Sequence, residues 1–82
     1  MDIDTKLQAL LSDARQALAA LSTNDRSVGG LVDRVAELRY AEGTLLGFLD
    51  ALLLTNPEAA RLLTPKIEGF VSEAIAARLL LD

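Results

Sequence analysis

At 82 residues the chain is long enough for one small helical domain, which we place at residues 1–82. It contains neither cysteine nor histidine, which excludes disulfides, thiolate metal sites and histidine-based acid–base relays. The net charge of −4 and the scattered basic residues disfavour nucleic-acid binding.

The compartment is predicted from what the chain lacks. The segment MDIDTK has no basic region or apolar core of a secretory signal. No uncharged run approaches the ~20 residues that a membrane span requires, so we expect no membrane association. A cytoplasmic protein is expected, and the preference for arginine over lysine favours a bacterial source. No clustered carboxylates indicate a metal site, and we expect no cofactor.

The first predicted helix covers about residues 3–22. Its apolar residues recur at alternating spacings of four and three, which is the heptad pattern of a helix that packs against other helices. Asp2 or Asp4 can cap its start, and the STND segment that follows Leu21 predicts a turn. The heptad positions are Ile3, Leu7, Leu10, Ala14, Ala17 and Leu21, with Leu11 and Leu18 beside them.

The second predicted helix covers about residues 28–54, with Ser27 as its N-cap. The segment Thr55-Asn56-Pro57 ends it. Its heptad positions are Leu31, Val35, Leu38, Glu42, Leu45, Leu49 and Leu52. The apolar residues that flank these positions are Val32, Leu46 and Leu53 on one side and Ala41 and Phe48 on the other.

The third predicted helix covers about residues 57–80, with Asn56 as N-cap and Pro57 in its first position. Pro65 lies inside it. The heptad pattern keeps its phase across Pro65, which favours one helix that is kinked there; the alternative is a break, with a new helix capped by Thr64. The heptad positions are Ala60, Leu63, Ile67, Phe70, Ala74, Ala77 and Leu81.

Glu42 is the one charged residue at a heptad position of the second helix. A carboxylate buried there needs a partner, which Arg39 or an arginine of another helix can provide. Three interpretations follow. Glu42 reaches water past its neighbours, or it is a polar core residue that fixes register or oligomeric state, or it is a catalytic carboxylate. The last requires a cleft and a second group, for which the sequence gives no sign.

The chain has more large apolar side chains than three short helices can cover. Gly43 and Gly47 lie four residues apart on one face of the second helix, where they favour a close helix approach; packing inside the monomer and simple tolerance are the alternatives. The surplus predicts a second apolar surface. Its candidate interface residues are Tyr40, Gly43, Gly47, Leu54, Ile75 and Leu79.

Together these patterns predict an all-α, up-down-up three-helix bundle that associates into a homodimer. The expected function is that of a self-associating protein–protein interaction module. The alternative is a chaperone or adaptor that binds a helix of another protein in an apolar groove. No pairing of a nucleophile with a base is evident, and we expect no enzymatic activity.

Overall fold

The fold is an all-α three-helix bundle, seen in a computed structural model that describes residues 2–21 and 27–80. The helices are α1 (Ile3–Ala20), α2 (Val28–Thr55) and α3 (Pro57–Leu79). Their ends differ from the predicted ones by one or two residues. The predicted STND turn lies outside the described residues.

The helices run up, down and up. Asn56 alone separates α2 from α3, so these two helices are antiparallel neighbours. Ile3, at the start of α1, lies beside Leu63, near the start of α3. Leu18, near the end of α1, lies beside Ala77, near the end of α3. Helices α1 and α3 are therefore parallel to each other, and both are antiparallel to α2.

All three helices begin at the predicted N-caps. Asp2 accepts a hydrogen bond from the backbone N–H of Asp4 at 3.0 Å, and Ser27 Oγ accepts one from Gly30 at 3.1 Å. Asn56 Oδ1 accepts one from the N–H of Ala59 at 3.3 Å. Each bond satisfies an amide that has no partner within its helix. Hydrogen bonds from the Thr5 hydroxyl and from backbone amides hold the pKa of Asp2 below its usual value.

The core is formed by most of the predicted heptad positions, whereas Leu31 and Val35 of α2 lie outside it and line a surface groove. Fully buried side chains come from all three helices, and partly buried ones such as Leu10, Leu49 and Phe48 pack around them. Leu81, the last predicted position, lies outside the described residues. The buried apolar residues are Leu7, Ala14, Leu38, Leu45, Leu52, Ala60, Leu63, Ile67, Phe70 and Ala74.

Pro65 lies within a continuous α3, so the predicted alternative of two separate helices is wrong. Pro65 is exposed, whereas Leu63 and Ile67 on either side of it are buried. The Thr64 hydroxyl donates to the carbonyl of Ala60 at 2.7 Å, in the turn where the proline removes an amide donor. The ring therefore faces away from the core, and the heptad pattern continues beneath it.

A polar contact joins α1 to α3. The guanidinium of Arg15 forms an ion pair with Glu73 at 2.9 Å and lies 5.8 Å from the centre of the Phe70 ring. Both charged side chains are more than half exposed, so the ion pair contributes at most about 1 kcal/mol. It positions the two helices while the apolar contacts supply most of the stability.

Candidate interaction surface

An apolar groove runs between α2 and α3 on the side of the molecule away from α1. It encloses about 650 Å³. Only its two arginines are charged. The residues that line this α2–α3 groove are Leu31, Val32, Val35, Ala36, Arg39, Ile75, Arg78 and Leu79.

Helix α1 covers only the other side of α2. Asp13 and Ala17 of α1 lie beside Glu37 and Ala41 of α2. Phe48, on the same side of α2, packs against the core. The opposite side of α2 has no such cover among the described residues, which leaves its apolar side chains exposed.

These exposed side chains form what we call the α2–α3 face. On α2 they follow one side of the heptad positions, and on α3 they line the groove. Val32 is 61% exposed and Leu79 is 66% exposed. The face consists of Val32, Leu46, Leu53, Ile75 and Leu79, whose exposed fractions all exceed 40%.

The structure does not bring the six predicted interface residues onto one surface. Ile75 and Leu79 line the α2–α3 groove, whereas Tyr40 lies on the α1 side of α2, beside Gln16. Leu54 is exposed near the end of α2. The six residues therefore share exposure but do not share a face.

Gly43 and Gly47 are exposed on α2. A Cβ atom added at either position would meet nothing within 4 Å. Packing inside the monomer, one of the explanations considered for these glycines, is therefore wrong. Close approach of another molecule, or simple tolerance, remains as the reason for two glycines in mid-helix.

Glu42 is buried, with 8% of its surface exposed, and it forms an ion pair with Arg78 of α3. The interpretation in which Glu42 reaches water is therefore wrong. The predicted arginine partner is present, but it comes from another helix instead of from Arg39. The pair joins α2 to α3 directly beneath the groove that Arg78 also lines.

Three residues of the α2–α3 face are absent from the six interface residues that the sequence predicts. The sequence predicts Val32, Leu46 and Leu53 as residues that flank the heptad positions, and the structure shows that they are exposed. Arg39, which lines the groove, was considered only as a partner for Glu42. The sequence does contain a signal for the position of Arg39. Arg39 and Asp50 are eleven residues apart, about three helical turns, and therefore lie on the same side of α2.

The described residues form neither a cluster of metal ligands nor a membrane-spanning stretch. Within residues 2–21 and 27–80, no three acidic side chains are grouped so that they could hold a metal ion. In the same part of the chain, none of the helices has a stretch long and apolar enough to cross a bilayer. No protein-family model matches the chain, and comparisons with curated proteins and with solved structures give no significant match.

Proposed function

We propose that this protein is a helical interaction module that self-associates through the α2–α3 face. The observation that supports this function is the uncovered row of large apolar side chains along α2 and α3. Monomeric proteins rarely expose a contiguous apolar patch of more than a few hundred square ångströms. A second copy that covers this face removes it from water.

The surface area of the molecule agrees with such an arrangement. The chain exposes 5481 Å², whereas a compact monomer of 8.8 kDa exposes about 4,800 Å². The excess of about 700 Å² reflects an elongated molecule, 43 × 21 × 15 Å in extent, whose helices leave much of their length uncovered. The radius of gyration of the molecule is 13.8 Å, which also exceeds the value of about 12 Å expected for a compact domain of this length.

The apolar burial available on this face is of the same order as the free-energy cost of association. Complete burial of a leucine or isoleucine side chain contributes roughly 1.5–3 kcal/mol, and the side chains of the α2–α3 face are already partly buried. By symmetry each of the five contributes twice in a dimer. The summed contribution of these side chains can exceed the free-energy cost of association. That cost is about 4–15 kcal/mol and comes from the lost translational and rotational freedom of the two molecules.

The substitution Ile75→Glu tests this function. A glutamate in the groove places a charge in the proposed interface without breaking the helix, so the variant should be monomeric where the wild type is dimeric. Leu62→Glu is the matched control, because Leu62 is exposed on the same helix but lies on the α1 side. Sedimentation or light scattering across a dilution series measures both. A wild type that remains monomeric at high concentration would contradict the proposal.

A second function, binding of a helix from another protein, is favoured by the shape of the α2–α3 groove. The groove is concave, and its volume suits apolar anchors that recur along one side of a helix. In that case the purified protein is monomeric and binds hydrophobic dyes, and Ile75→Glu abolishes dye binding. The oligomeric state of the isolated protein therefore separates the two functions.

A further inference from the structure

We infer that the occupant of the α2–α3 face is a second copy whose α2 lies antiparallel to the first, with Arg39 of each copy opposite Asp50 of the other. The two-fold axis then passes between Gly43 and Leu46. This inference rests on the proposed self-association and specifies its geometry. It identifies the charged residues that select one arrangement of the two copies.

The periodicity of the helix places the four positions together. Arg39 and Asp50 are separated by eleven residues, which is about 20° more than three whole turns of the helix. Gly43 and Leu46 lie between them, within about 40° of the same line along α2. A rotation about an axis midway between Gly43 and Leu46 exchanges Arg39 with Asp50.

The charges are available for contacts between molecules. Arg39 and Asp50 are both exposed, and neither forms an ion pair within the part of the chain that the structure describes. Arg39 lines the groove at one end of the face. Because the two residues have opposite signs, an antiparallel copy of α2 forms the same pair twice across one interface.

Another two-fold arrangement is less favourable. If the axis runs along the helices, α2 of one copy lies against α3 of the other. Within the groove Arg39 lies level with the segment from Ile75 to Leu79, in which Arg78 is the one charged residue. Arg39 then faces Arg78, which is already paired with Glu42, and gains no carboxylate partner, whereas the antiparallel arrangement of the two α2 helices gives it Asp50.

Charge reversal tests the pairing. Arg39→Asp and Asp50→Arg each place like charges opposite each other at two symmetric positions, and each should raise the dissociation constant by about tenfold or more. The double variant restores opposite charges and should return the dissociation constant to within about threefold of the wild-type value. Equimolar mixing of the two single variants should give heterodimers in excess of homodimers. Circular dichroism on each variant checks that the monomer remains folded.

Single cysteines test the position of the axis, because the chain contains no cysteine of its own. Leu46→Cys should form a disulfide between copies under mild oxidation. Val32→Cys, far from the axis on the same side of α2, should not. A wild type that does not self-associate overturns both this inference and the proposed function. A dimer that shows no recovery in the double variant and no disulfide at position 46 overturns the inference alone.

Discussion

At the scale of single residues, Glu42 shows what a sequence can and cannot predict. The heptad pattern identifies Glu42 as a carboxylate inside a helical core, and the cost of burying it demands a cationic partner. The pattern does not identify Arg78, which is 36 residues away along the chain. That pairing depends on the axial offset between α3 and α2, and this offset is determined by the packing of the side chains between the two helices.

We expect the contributions of Glu42 and Arg78 to the free energy of unfolding to be strongly coupled. Glu42→Ala or Arg78→Ala should lower the free energy of unfolding by about 1–3 kcal/mol, because each leaves a charge without its partner. This is less than for a fully buried pair, since Arg78 retains about a fifth of its side-chain exposure. Replacing both residues by leucine should leave stability unchanged or raise it, because no charge then remains at the site.

Urea denaturation at low protein concentration, applied to the two single alanine variants and to the double variant Glu42→Ala/Arg78→Ala, measures the coupling of the pair without a contribution from association. The matched control is the exposed pair Arg15–Glu73, whose removal should cost at most about 1 kcal/mol. Additive effects of the two single alanine substitutions at Glu42 and Arg78 would show that the pair is not coupled.

At the scale of helices, the boundaries were predictable because they depend on local chemistry. Asp2, Ser27 and Asn56 each cap the helix that follows them, and each lies at the predicted position. Pro65 left two interpretations open, because the sequence alone does not show whether the missing hydrogen bond ends the helix. The buried side chains on either side of it hold α3 together across the proline.

Pro65→Ala should raise the free energy of unfolding by about 1–3 kcal/mol, because it restores an amide donor and removes the clash with the preceding turn. Pro57→Ala is the control: Pro57 occupies the first turn of α3, where its missing amide costs nothing. That substitution should lower stability by about 0.4–1 kcal/mol, because it makes the unfolded chain more flexible. Thermal unfolding followed by circular dichroism compares the two, and equal effects would contradict the role assigned to Pro65.

At the scale of the whole molecule, the sequence predicts a surplus of apolar surface but not its location. Helix α2 has apolar residues on both sides of its heptad positions, and either side can face the rest of the bundle. The structure places α1 beside Ala41, and Phe48 on the same side of α2 packs against the core, whereas Val32, Leu46 and Leu53 are exposed. This choice follows from the hand of the bundle, which a heptad pattern does not specify.

Substitution of Gly43 is expected to affect the stability of the monomer and the affinity of the dimer in opposite directions. Because an added Cβ atom would meet nothing within 4 Å, Gly43→Ala should stabilise the isolated monomer by up to about 1 kcal/mol through helix propensity. In a dimer whose two α2 helices cross beside Gly43, the same methyl group separates them and should weaken association several-fold. One substitution is thus expected to raise the stability of the monomer and lower the affinity of the dimer.

Gly69→Ala provides the matched control, since Gly69 is an exposed glycine in the middle of α3 with equally open surroundings. Gly69 is six residues before Ile75, which places the two residues about 120° apart around the helix. Its substitution should stabilise the monomer by a similar amount and leave the dissociation constant unchanged. Denaturation at low concentration and sedimentation at high concentration measure the two quantities separately. If Gly43→Ala and Gly69→Ala behave alike in both measurements, α2 does not cross a second copy at Gly43.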